Sequence, residues 1–207
     1  MKIVRYLVIP LVSISLGLSL WNSDIINEVK AEQINMNNTE ATLAAYRKAV
    51  ERAPDNTDNW DGLGRLFFRR GELAQAEEAF RRMLFLGEAR QDKATQAAAY
   101  GNLAFVHQSR SDLKHAEQML RKALLLNKAL GRKEGMAINY SSLGLVYQTR
   151  GNLDETEALW KKALTLLQEI QHSKAEMIQQ WLTELARRKA DMAETTQIDP
   201  DDVQTDV

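Results

Sequence analysis

Imidazole is the side chain in this sequence whose charge changes near neutrality, and it occurs three times, at His107, His115 and His172. The chemistry to look for around it is a nucleophile beside a base, a pair of carboxylates, or a metal site. His107 falls at a position that Phe67 and Tyr147 hold elsewhere in the chain, so it is expected to pack as a flat ring between helices. His115 follows Asp112 by three residues and precedes Glu117, a pattern that a polar helix surface explains better than a metal cage. Zero cysteines remove thiolate nucleophiles, disulfides and Cys-based zinc or iron–sulfur sites. No Gly-rich phosphate loop, G-x-S-x-G elbow or H-E-x-x-H pair is present. No catalytic residue, cofactor or metal is therefore assigned, and an enzyme with an unrecognised site is only a remote alternative.

Charge excludes a second class. Lys and Arg number 27 against 28 Asp and Glu, a net charge of -1, so no global field draws the chain to nucleic acid. The basic runs Arg69-Arg70, Arg81-Arg82 and Arg187-Arg188-Lys189 are interleaved with acids such as Glu72, Glu77 and Glu78, as on a solvated helix surface. At the amino end, Lys2 and Arg5 precede an uncharged run from Tyr6 to Trp21, and the next charges, Asp24 and Glu28, are acidic. That asymmetry reads as an export signal, with residues 1–21 either a cleaved signal peptide or a retained membrane anchor. As a helix the run would rise about 24 Å, short of the roughly 30 Å hydrocarbon core, and Pro10 interrupts it. Residues 22–38 are polar and Asn-rich, a flexible spacer.

Any working surface must be carried by helices, because prolines number only 3 and Ala, Leu, Glu, Lys, Arg and Gln dominate. Those helices repeat. Gly64, Ala104 and Gly144, each preceded by Leu, are spaced by 40 residues. In the same frame stand Trp60, Tyr100 and Tyr140; Phe67, His107 and Tyr147; Gly71, Ser111 and Gly151; Leu73, Leu113 and Leu153; Ala76, Ala116 and Thr156; Phe80, Leu120 and Trp160; and Met83, Ala123 and Ala163. Within each copy the apolar positions split into two sets at helical spacing, predicting two antiparallel helices that cannot bury their stripes alone. Gly64 and Gly144 are expected to let the two backbones approach. Gly71 and Gly151 are expected to supply the left-handed turn between the helices, Ser111 doing so at a cost of about 0.5 to 1 kcal/mol. Asn152 with Glu155 reads as an N-cap and capping box, Asp112 as a cap, and Glu72 as a poorer one.

These residues resemble the tetratricopeptide repeat, in which a Trp, a Leu-Gly pair, an aromatic, a turn glycine, an alanine, a second aromatic and another alanine recur. The period of 40 in place of the usual ~34 is similar to the family's longer-helix variety, and the proline closing many such repeats is missing from all three. The resemblance implies an all-α fold, an α-solenoid of antiparallel helix pairs wound into a right-handed superhelix, preceded here by the signal or anchor helix. Its parts are a half repeat that caps one end (39–56), three repeats (57–96, 97–136 and 137–172), a C-terminal capping helix (173–194) and a disordered acidic tail (195–207). Met177, Ile178, Trp181, Leu182 and Leu185 form the apolar stripe of that last helix, with Gln179, Gln180, Glu184, Arg187 and Arg188 facing away.

In this family the first helix of each repeat lines a concave wall, which implies a partner-binding groove at Arg65, Phe68, Arg69, Gly101, Asn102, Phe105, Gln108, Ile138, Ser141, Leu145 and Gln148. Phe68, Phe105, Ile138 and Leu145 would be anchors, while Asn102, Gln108 and Gln148 would hydrogen-bond a peptide backbone. Alternatively these apolar residues are covered by neighbouring helices, by the terminal helix or by a second copy of the chain. The function implied is a non-enzymatic protein–protein interaction module, a scaffold or assembly factor for an envelope complex, whose partner is another protein or peptide. Taken as bacterial, it would be exported to the periplasm or anchored in the inner membrane facing outside, or else secreted. A self-assembling homo-oligomer is the rival reading.

Overall fold

The computed structural model describes residues 39–196, and every regular element among them is helical. Residues 1–38, which include the expected signal or anchor and the spacer, lie outside the described residues, as does the tail beyond Thr196. Eight helices are described: α1 (39–52), α2 (Thr57–Arg69), α3 (Leu73–Ala89), α4 (Lys93–Ser109), α5 (Leu113–Ala129), α6 (Lys133–Thr149), α7 (Leu153–Glu169) and α8 (Lys174–Thr196). The chain divides into two units, Met1–Ala45 and Tyr46–Val207. The first includes the opening residues of α1, with Leu43 buried, and the second holds the end of α1 and all of α2–α8.

Within the second unit each helix packs on the next in sequence, more extensively inside the pairs α2–α3, α4–α5 and α6–α7 than between them. Among more distant elements, α2 also meets α4. Contacts confined to near neighbours are what a stack of repeats produces.

The turns explain the period. Gly71, Gln91, Ser111, Gly131, Gly151 and Gln171 all have left-handed backbones, at φ 74°, 55°, 61°, 64°, 81° and 52°. Past each, the next N–H reaches back to a carbonyl of the preceding helix: Glu72 to Phe67 (2.9 Å), Asp112 to His107 (2.9 Å), His172 to Leu167 (2.9 Å). This six-to-one closure is the Schellman motif, and it recurs at half the sequence period. The helices α3 to α7 are each 17 residues long, so no proline is needed to end the second helix of a repeat. The same motif overrides the capping box expected at Asn152. Its N–H, which Glu155 would have taken, already donates to the Tyr147 carbonyl (3.0 Å), and the Asn152 side chain makes no cap bond. Asp112 does cap α5, accepting from the His115 N–H (3.3 Å), and Asp92, which the sequence reading passed over, caps α4 through Ala94 and Thr95.

Packing inside a pair is set by matched residues. A Cβ on Gly64 would sit 2.5 Å from the Phe80 ring, and one on Gly144 would sit 2.2 Å from Trp160 Nε1. These glycines thus make room for an aromatic ring of the partner helix, where the sequence reading expected two backbones. In the middle repeat Ala104 shares a buried cluster with the smaller Leu120. The Trp160 indole, 2% exposed, donates to the Ser141 carbonyl (3.1 Å) and packs beside Trp181, with ring centroids 5.2 Å apart. Thr156, fully buried, satisfies its hydroxyl on the Asn152 carbonyl (2.8 Å). On α8, Ile178 and Leu185 are buried and Gln179, Gln180, Glu184, Arg187 and Arg188 are exposed, whereas Met177 stands 38% exposed at the edge of its stripe.

Between pairs, one glutamate column does the joining. Glu77 in α3 binds Arg81 and Arg110; Glu117 in α5 binds Arg121, Arg150 and the Tyr147 hydroxyl; Glu157 in α7 binds Lys161 and Lys189. Arg110, Arg150 and Lys189 belong to the following pair or to α8, so each clamp crosses a junction. Burial alone would raise the Glu117 carboxyl, but hydrogen bonds from Arg150, Arg121 and Tyr147 outweigh it and hold the group at about 2.

Candidate functional site

The first helices of the three pairs, α2, α4 and α6, share one cavity of about 810 Å³. Seven of the residues expected on the inner wall line it: Arg65, Phe68 and Arg69 from α2, Gly101, Asn102 and Phe105 from α4, and Ile138 from α6. Gln108, Ser141, Leu145 and Gln148 do not line it. The cause is local. Leu145 packs against the cluster of Trp160, Ile178 and Leu185, so the terminal pair and α8 draw it away from the groove. Ser141 is engaged at both polar groups, its hydroxyl donating to Ala137 O (2.9 Å) and its carbonyl accepting from Trp160. The Gln108 amide reaches the Ser142 carbonyl (3.4 Å).

The wall is electrostatically uneven. Asp61 accepts a hydrogen bond from Asn102 Nδ2 (2.6 Å) and lies 3.6 Å from Arg65, so Asn102 is tied to the wall where the sequence reading left it for a peptide. Arg69 of the wall has no carboxylate within ion-pair distance among the described residues, and neither have Arg132 and Lys174, which line the same cavity. Phe68, Phe105 and Ile138 are half-buried beside them. The cavity is therefore an apolar strip bordered on one side by Asp58 and the Asp61–Arg65 pair and elsewhere by Arg69, Arg132 and Lys174, which have no carboxylate within ion-pair distance among the described residues, a surface able to seat a chain segment.

Sequence columns drawn only along the first helices missed Arg132, Lys174 and the pair Asn127–Asn139. Asn127 Nδ2 donates to Asn139 Oδ1 (2.8 Å), both side chains buried at 5% and 3%. The available signal was Asn127 itself, a polar residue in the column that Gly87 and Leu167 share. Gly135 accommodates it, since a Cβ there would lie 2.6 Å from the Asn127 amide.

The histidines differ from expectation. His107 is half-buried as a ring, but it faces Asp112 and stacks on His115, so these three polar groups converge. His172 lies apart, its Nε2 3.6 Å from Glu134. Among the described residues no helix is long and apolar enough to cross a membrane.

Residues 95–169, the span of the second and third repeats, match a sequence profile of the tetratricopeptide repeat. The crystal structure of BtubC from P. vanneervenii is similar in fold, with a TM-score of 0.62 and 17% identity, over 76% of this chain and 66% of that one. The apo form of RapI is similar likewise, with a TM-score of 0.67 and 12% identity, over 77% of this chain and 46% of that one. The chain thus spans less than two thirds of either neighbour. No curated protein matches the sequence. The matched residues form the pairs α4–α5 and α6–α7 as tetratricopeptide repeats, and α2–α3 precedes them with the same left-handed turn and, as in α6–α7, a glycine facing an aromatic ring of the partner helix.

Proposed function

We propose that this protein is a non-enzymatic binding module that holds a segment of a partner protein in the cavity of α2, α4 and α6. The observation that carries the reading is the cavity's composition: half-buried Phe68, Phe105 and Ile138 next to Arg69, Arg132 and Lys174. Apolar anchors in a groove supply affinity, and cations at its border favour a partner with carboxylates near those anchors. The export signal read at residues 1–21 adds that the module works outside the cytoplasm or tethered to the membrane, as a scaffold or assembly factor for an envelope complex. No bond is made or broken in this role.

Crosslinking and pull-down from the native envelope fraction, with wild type beside Phe105→Glu, test it. Capture of the same partner by wild type and its loss in the variant, with far-UV circular dichroism unchanged, is the expected result. Capture that survives Phe105→Glu removes the groove as the site. A second reading, self-assembly, is favoured by Phe85 and Leu125, which occupy the same repeat position on α3 and α5 and are exposed by 56% and 69%. Mass rising with concentration in the absence of any partner, and abolished by Phe85→Lys, would establish it.

A further inference from the structure

We propose that His107, Asp112 and His115 form a binding site for a divalent transition-metal cation of the zinc class. The three side chains come from two elements joined by one turn. His107 sits in the last turn of α4, Asp112 is the N-cap of α5, and His115 lies in the first turn of α5. The Schellman closure between them, Asp112 N–H to the His107 carbonyl at 2.9 Å, fixes their spacing.

Both imidazoles aim the same atom at the same carboxylate. His107 Nδ1 is 3.1 Å from Asp112 Oδ2, and His115 Nδ1 is 2.7 Å from that oxygen. All three donor atoms fall within 4.8 Å of one another. In a tetrahedral site with donor bonds of about 2.0–2.1 Å, neighbouring donors stand about 3.4 Å apart, so small ring rotations bring these three into range. A cation would sit between the two Nδ1 atoms and the Asp112 carboxylate, where these donor atoms already face one another. Two imidazole nitrogens and one carboxylate oxygen select zinc, cobalt, nickel or copper over calcium and magnesium, which take oxygen ligands. Three protein ligands leave a fourth position open to water or to a side chain from elsewhere.

Packing does not call for these imidazoles. At the equivalent positions the first repeat holds Phe67, Glu72 and Gln75, and the third holds Tyr147, Asn152 and Glu155, on the same backbone turn. The two rings also stack, with centroids 5.3 Å apart and planes at 27°, which holds them side by side facing Asp112. His107 is 12% exposed and His115 54%, so the site has a buried wall and an open mouth.

The untagged full chain, stripped with chelator and titrated with cobalt(II), is the test. A single equivalent should bind with the intense visible band of four-coordinate cobalt, zinc(II) should displace it, and zinc should raise the melting temperature. His107→Tyr and His115→Gln graft in residues that the other repeats use at these positions, so helicity by circular dichroism should hold. Each variant should weaken binding by about tenfold or more. His172→Ala should bind as wild type does. Absence of the cobalt band, binding that persists in the double variant, or loss of binding in His172→Ala would overturn the assignment.

Discussion

Ser111 holds φ at 61° in a turn whose equivalents Gly71 and Gly151 carry no side chain, and Gln91 does the same at 55°. A Cβ in this region crowds the following carbonyl, and glycine avoids the strain. Gln91→Gly should therefore raise the urea midpoint, by about 0.5–1 kcal/mol in stability, and Gly151→Ala should lower it by a similar amount. Gly144 makes a different demand. An alanine there meets Trp160 at 2.2 Å, and Gly144→Ala alone should cost about 2 kcal/mol through overpacking. Joining it to Trp160→Leu recreates the Ala104–Leu120 arrangement of the middle repeat, so the pair should cost less than the sum by about 1–2 kcal/mol. Chemical denaturation of the two single variants and the double completes that cycle. At this scale the glycine columns were readable because glycine meets each demand without strain, although Ser111 and Ala104 each stand in one column. The residue that fills the space was not, since an absent side chain does not say whether a backbone or a ring takes its place.

Between helices, the glutamate column ties each repeat to the next, where the helices pack less extensively than within a pair. Glu117 has the most partners, with its side chain 18% exposed, Arg121 beside it on α5, and Tyr147 and Arg150 reaching it from α6 and its C-cap. Its folded carboxyl titrates at about 2 against an ordinary 4.5, so its contribution is complete above about pH 4.5 and fades as the pH falls toward 2. Glu117→Gln should lower stability at neutral pH by about 1–2 kcal/mol after allowance for solvent screening, and by nothing near pH 2. Thermal melts of wild type and variant across that window isolate the difference. Helix boundaries and pairing followed from the 40-residue register, because buried positions at helical spacing leave a strong signal. The clamps and the 20-residue recurrence of the turns left a weaker one. Glutamate and arginine at matching positions look like ordinary solvated helix until tertiary structure brings Glu117 to Arg150, and Gln91 and Gln171 conceal a turn that Gly71 announces.

In the stack from α2 to α8, each helix depends on its sequence neighbours, and that arrangement decides both what the sequence disclosed and how the molecule should fail. Register alone drew Arg65, Phe68, Phe105 and Ile138 into the cavity, but it also drew Gln108, whose amide turns to the Ser142 carbonyl, and Leu145, which packs toward Ile178 and Leu185 of α8, outside the repeat pattern. Arg132 and Lys174 enter the cavity from the starts of α6 and α8, which no column of first-helix positions contains. The same nearest-neighbour dependence means that damage should spread only as far as coupling between adjacent pairs allows. Leu185→Ala removes a side chain that is 1% exposed and packs in the cluster with Trp160 and Leu167, at a cost of about 2–4 kcal/mol. Hydrogen exchange on the full chain should then quicken markedly in α8 and α7, less in α6, and hardly in α2 and α3. A uniform rise across all seven helices would mean one cooperative core, and the groove would then be a feature of a single block in place of a chain of separable pairs.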